Sequence, residues 1–130
     1  SRLTDRLALD GLRLGFHAHG DDMHPVEGGE GAYYRIARGT PDAFVLQYDT
    51  SNGVDGGADP VQPLLDFPGR SASVHLKETD GKDIGEGRVP WDRVLAAAAN
   101  AQWWVIEHEA ATGPDGLAAV DRALRNLRAL

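Results

Sequence analysis

The sequence predicts an α/β fold in which parallel strands alternate with helices, and three observations carry that expectation. Four short runs rich in apolar, aromatic and β-branched residues read as strands: 12–19 (LRLGFHAH), 43–50 (AFVLQYDT), 71–78 (SASVHLKE) and 103–109 (WWVIEHE). Their starts lie about 30 residues apart, the size of one strand-plus-helix unit. Helical patterns fill the intervals, and strands alternating with helices form parallel sheets with right-handed crossovers.

The elements follow in order. Residues 2–9 carry Leu3 and Leu7 on one helical face, and Gly11 follows as a stop. After the first strand, residues 20–30 are rich in glycine and charge and read as a long loop. Residues 31–38 present Tyr33, Ile36 and Ala37 ahead of Gly39. After the second strand, 59–66 opens with Asp59-Pro60, a favourable helix start, and carries Val61, Leu64 and Leu65; Pro63 is expected to strain it. Residues 79–89 read as a second long loop. Residues 91–99 stand behind Pro90 with Val94, Leu95 and Ala98. Residues 115–130, with Leu117, Val120, Leu124 and Leu127, form the cleanest amphipathic pattern. No linker divides the chain, so residues 1–130 are expected to form one domain.

Composition excludes several function classes. The chain has 130 residues, no cysteine and a formal net charge of −7. Without cysteine there are no disulfides, thiolate metal sites or cysteine nucleophiles. The acidic balance argues against nucleic-acid and anionic-membrane partners. No apolar run approaches the roughly 20 residues of a membrane span. The first ten residues lack the apolar stretch of a signal peptide, so a cytoplasmic location is expected. A complete (β/α)8 barrel takes roughly 250 residues, about twice this length.

The strand ends carry the chemistry. Side chains alternate along a strand, so residues two apart share a face. On one face stand His17 and His19 of the first run, Gln47 and Asp49 of the second, His75 and Lys77 of the third, and Glu107 and Glu109 of the fourth. The opposite face is mostly apolar: Leu12, Leu14 and Phe16; Phe44, Leu46 and Tyr48; Ala72, Val74 and Leu76; Trp104 and Ile106. Those residues are expected under the helices, and the Trp103–Trp104 pair is read as core packing. Taken singly, each polar residue has a structural use: a histidine as a hydrogen-bonded strand end, Asp49 as a turn or helix cap. Four strands ending in ionisable groups of matching parity instead suggest one convergent site. Its nitrogen and oxygen donors suit manganese, cobalt, zinc, magnesium or non-haem iron. Lys77 beside it would polarise a carbonyl or bind an anionic group. His24 and His108 fall outside this parity and read as surface or supporting residues, and Glu86 as a loop charge.

With the strand ends aligned, the sequence resembles the sugar phosphate isomerase/epimerase superfamily, the xylose-isomerase-like barrels. LGFHAH at 14–19 is similar to the GYHNH strand of the inosose-dehydratase and inosose-isomerase-like members. LQYDT at 46–50 is similar to their ELD strand, and GGADP at 56–60 to the loop and helix start after it. VHLKE at 74–78 resembles HLKD, IGEGRVPW at 84–91 resembles GEGxxDW, and VIEHE at 105–109 resembles VEQD. The resemblance implies four βα units forming half of a (β/α)8 barrel, parallel strands inside and helices outside, matching the last four strands of eight.

It also implies a divalent metal (Mn, Co, Zn or Mg) held by His17, Asp49, His75 and Glu107. His17 stands where many members have glutamate, which removes one of two carboxylates that a paired acid–base epimerisation uses. Glu107, Lys77, Glu109 and His19 are the candidate catalytic residues. The implied reaction is isomerisation, epimerisation or dehydration of a sugar, sugar phosphate or cyclitol through an enediolate. A four-stranded parallel piece has open edges and an uncovered face, which promote association. Self-association or a complementary half-barrel is therefore expected. The alternative is a non-catalytic half-barrel or scaffold with a vestigial metal site. An endonuclease of the same barrel superfamily is disfavoured by the acidic charge.

Overall fold

The computed structural model describes residues 2–26, 29–57, 59–109 and 115–130. Residues 27 and 28 of the first expected loop and Ala58 of the GGADP stretch lie outside these. Four strands form one sheet: β1 (Gly15–His17), β2 (Val45–Asp49), β3 (Ser73–Leu76) and β4 (Trp103–Ile106). They lie in the order β1-β2-β3-β4 and every pairing is parallel. All four expected strands form, with hydrogen-bonded cores shorter than the apolar runs.

The expected helices also form: α1 (Arg2–Ala8), α3 (Ala32–Gly39), α5 (Gln62–Asp66), α6 (Trp91–Ala97) and α7 (Asp115–Ala129). Helix α5 starts later than the Asp59-Pro60 signal suggests, because the Asp59 carboxylate first accepts the Val61 N–H at 2.9 Å. Pro63 does not strain it. Proline occupies the first turn, where no intrahelical bond is lost.

Two short helices depart from the expectation: α2 (Gly20–Met23), inside the expected loop, and α4 (Thr50–Asp55), directly after β2. Apart from Met23, neither has good intrinsic helix formers. Helix α4 forms because the Asp49 carboxylate accepts the Asn52 N–H at 2.7 Å. It also needs Gly53, since a Cβ there would lie 1.7 Å from the Tyr48 hydroxyl. Helix α2 starts at His19, whose N–H donates to the Asp22 carboxylate at 2.8 Å, and packs against α4. The second expected loop begins with a short 3-10 turn, Thr79–Gly81.

The core lies between the outer sheet face and the helices. Leu46, Tyr48, Val74 and Leu76 are fully buried there, against Tyr33, Ala37, Leu64, Trp91, Val94 and Ala123. Burying one large apolar side chain stabilises the fold by about 1.5–3 kcal/mol. The tryptophan pair corrects the sequence reading. Trp103 is 69% exposed and Trp104 41%, because β4 is the sheet edge and nothing among the described residues covers them. Leu12 precedes β1 and is exposed as well. On α7 the buried line is Ala119 and Ala123, while Leu117 faces outward. No helix among the described residues is long and apolar enough to cross a membrane.

At the opposite end of the strands from the polar residues, buried Arg70 binds three acceptors. Its guanidinium donates to the carbonyls of Phe44 (3.0 Å) and Ala37 (2.9 Å) and to the Thr40 hydroxyl (2.9 Å). It thereby ties the end of α3 to the start of β2. Arg70→Met leaves those acceptors without a donor and is expected to cost about 2–4 kcal/mol, read from the midpoint of urea unfolding.

Candidate metal centre

The inner sheet face carries Gly15 and His17 of β1, Val45, Gln47 and Asp49 of β2, Ser73 and His75 of β3, and Trp103 and Val105 of β4. Register then gathers the polar ends. His17 pairs across from Gln47, Asp49 from His75, and His75 from Val105, so Glu107 follows β4 one inward position beyond His75. The result is a compact group: one donor atom each from His17, Asp49, His75 and Glu107 lies within 4.8 Å of the others. These are the four residues that the family resemblance implied for a metal.

Local bonds fix the group. His75 Nδ1 lies 2.5 Å from Glu107 Oε2 and 3.9 Å from Asp49 Oδ2. The imidazole rings of His17 and His75 stand 4.5 Å apart. Gln47 donates to the Ser73 hydroxyl at 2.7 Å, bridging β2 and β3 below the site. The Thr50 hydroxyl donates to the Lys77 carbonyl at 2.7 Å and accepts the Lys77 N–H at 3.0 Å. That exchange holds Asp49 and Lys77 side by side.

Among the buried side-chain atoms of the described residues that lack a hydrogen-bond partner, two belong to this group, His17 Nδ1 and Asp49 Oδ2. Buried polar atoms are nearly always satisfied, so two unpartnered atoms within one four-residue donor group fit a cation there. Electrostatics agree. Burial, joined by the charges of His75 and His19, lowers the pKa of His17 and favours the neutral imidazole that ligates metals. Burial pushes Asp49 up to about 6, against the pull of the Asn52 N–H and the Lys77 charge. Burial also opposes ionisation of Glu107, but contacts with Glu109 and His75 and the Lys77 charge hold it below the usual carboxylate range. An ion would relieve both the buried Asp49 and the half-buried Glu107 carboxylate. The donor set therefore fits a divalent cation.

The candidate catalytic residues lie around this group. Lys77 Nζ is 2.6 Å from Glu109 Oε2 and 3.7 Å from Glu107 Oε1. Burial would lower the Lys77 pKa, but the Glu109 hydrogen bond and the charges of Asp49, Glu107 and Glu109 raise it, so the ammonium stays charged. His19 caps α2, with its ring 4.9 Å from that of His17 and open to solvent. A cavity of about 410 Å³ opens beside the group, with Asn52, Lys77, Lys82, Glu107 and Glu109 among its walls.

Sequence reasoning missed one support and left a second undecided. Buried Glu78 accepts from the Trp91 indole N–H (2.7 Å), the Thr79 N–H (2.8 Å), and the N–H groups of Gly85 and Val89 (both 3.2 Å). It holds residues 84–91 over the end of β3. Gly87 belongs to this arrangement, since a Cβ there would sit 2.3 Å from Glu78 Oε1. The second support is His108. Of its two readings, surface or supporting, the structure shows the supporting one: Nε2 meets Asp83 Oδ1 at 3.0 Å, and Asp83 Oδ2 accepts from Arg122 of α7 at 2.9 Å. The sequence signal for Glu78 was its parity, opposite to Lys77 and toward the helices. His24 and Glu86 are exposed, as expected.

No family model and no curated protein matches the chain in sequence. Solved structures match it in fold. A sugar phosphate isomerase/epimerase from Parabacteroides distasonis superposes with a TM-score of 0.81 at 21% identity, over 99% of this chain and 50% of that one. A second one from the same organism gives a TM-score of 0.79 at 18% identity, over 98% of this chain and 50% of that one. The chain thus spans about half the length of these structures. Its four parallel strands and outer helices have the fold of one half of such an isomerase/epimerase barrel.

Proposed function

We propose that the chain is the metal-bearing half of a divalent-metal-dependent isomerase or epimerase (or dehydratase) acting on a sugar, sugar phosphate or cyclitol through an enediolate. The observation that carries this reading is the convergence of four donor atoms from four successive strand ends within 4.8 Å. The ion, when bound, supplies a Lewis acid that polarises a carbonyl and a neighbouring hydroxyl oxygen. The chain's own groups do the rest. Lys77 directs its ammonium at the developing oxyanion. Glu107 Oε1, the oxygen that His75 does not engage, takes the carbon-bound proton. Glu109 holds Lys77 in place, and His19 passes protons at the solvent side. The inner face and the edges of β1 and β4 are assigned to a complementary half, a second copy or another segment, which would cover Trp103 and Val105.

Exchange in heavy water tests this. The protein, loaded with Mn, Co, Zn or Mg, is incubated with ketoses, their phosphates and cyclitol ketones. The expected result is deuterium at the carbon beside the carbonyl, at a rate reduced at least ~100-fold in Glu107→Gln. The second reading, a non-catalytic half with a vestigial site, is favoured by the exposed inner face. Tight metal binding without any deuterium incorporation would establish it.

A further inference from the structure

We infer that His17 makes this site selective for a borderline transition ion of the zinc and cobalt type over magnesium. The inference rests on the metal-centre reading above and adds which ion the group prefers and which residue decides it. Three observations support it.

The first is donor chemistry. The group offers two imidazoles and two carboxylates. Magnesium binds oxygen donors, surrenders its waters reluctantly and gains little from imidazole nitrogen. Zinc, cobalt and related ions accept a mixed nitrogen and oxygen set readily.

The second is that His17 has no evident structural task at its Nδ1. That atom is buried and unpartnered, while the ring lies 4.5 Å from the His75 ring. Asp49 Oδ2, also buried and without a hydrogen-bond partner, belongs to the same four-residue group. Oxygen supply is meanwhile limited. Asp49 Oδ1 is committed to the Asn52 N–H, and Glu107 Oε1 faces Lys77 at 3.7 Å. One oxygen from each carboxylate is left for an ion, a number that magnesium meets by keeping its waters, so the two imidazoles are the donors that favour the transition ion.

The third is charge. The two carboxylates match the charge of a dication, with the Lys77 ammonium close by. A third carboxylate at position 17 would add an oxygen donor and one negative charge, both of which favour the hard ion.

The test uses the chelator-stripped chain, titrated calorimetrically with Zn2+, Co2+ and Mg2+. Wild type is expected to bind Zn2+ and Co2+ at least ~1,000-fold more tightly than Mg2+. His17→Glu is expected to narrow that ratio at least ~10-fold. The Co2+ form gives a second readout, independent of activity and affinity. Its proton spectrum should show two strongly shifted imidazole N–H signals in wild type and one in His17→Glu. His17→Gln, which keeps a neutral side chain, should also show one and so covers a folding failure of the glutamate variant. An unchanged preference, or two shifted signals in both variants, overturns the role of His17 while leaving a metal centre. Absence of binding by every ion overturns the metal centre itself and this inference with it.

Discussion

Replacing Asp49 with asparagine will abolish the stabilisation that a divalent ion gives the folded chain, while leaving the ion-free fold almost unchanged. The two halves of that result separate because the two carboxylate oxygens do different work. Oδ1 caps α4 by accepting the Asn52 N–H, and an asparagine oxygen keeps that bond. Oδ2 is buried, has no partner and faces His75 at 3.9 Å. Asparagine removes its charge, which is the part that a cation uses. An ion present at a hundredfold excess over its dissociation constant stabilises a folded protein by about 2.7 kcal/mol. The asparagine variant should bind about 100-fold more weakly or worse and lose nearly all of that gain. Thermal unfolding with and without Zn2+, run on both proteins, reads both halves. A zinc-dependent rise in melting temperature that persists in Asp49→Asn would remove Asp49 from the site.

Glu78→Ala will be the most damaging single change outside the site. Its carboxylate is the shared acceptor for the Trp91 indole and for three backbone N–H groups, all in or beside the 79–91 segment. Alanine leaves those buried donors unsatisfied at once. The expected loss is about 3–5 kcal/mol, a large part of the 5–15 kcal/mol typical of a small domain. Acid reports the same bonds. Burial would raise the Glu78 pKa, but the Trp91, Thr79, Val89 and Gly85 donors outweigh it and hold the carboxyl below its ordinary value. A group depressed in the folded state contributes fully above its unfolded pKa, about 4.3 for glutamate. The contribution is lost as pH falls through the folded value. Urea midpoints at pH 7 and at pH 4 and below should therefore drop for wild type, and drop less in Glu78→Gln, which has no carboxylate to protonate there. Equal acid sensitivity in the two proteins would show that Glu78 is not the buried ionised acceptor.

Much of the site was legible because strand geometry is a strict rule. Alternation puts His17, Asp49, His75 and Glu107 on one face wherever the strands are found, and a parallel sheet brings their ends together. Helices α2 and α4 were not legible, because what stabilises them is tertiary. The cap on α4 comes from a residue that also reads as a strand end, and its central glycine is required by the Tyr48 hydroxyl. Apolar composition misplaced Trp103 and Trp104. It says that a strand is apolar, not whether a neighbour covers it, and β4 is an edge. Glu78 was missed because its donors stand up to 13 residues downstream, in a loop without periodicity and at the first residue of α6. His108 was left between a surface and a supporting role because its partner, Asp83, lies in that same loop.

The central claim is that four strand ends form one metal centre, and anomalous diffraction tests it most directly. A crystal of the chain grown with Co2+ and measured on both sides of the cobalt absorption edge should show one strong peak per chain. That peak should lie within bonding distance, about 2.0–2.2 Å, of donor atoms from His17, Asp49, His75 and Glu107. A peak bound elsewhere, or no peak from a cobalt-saturated crystal, would contradict the account.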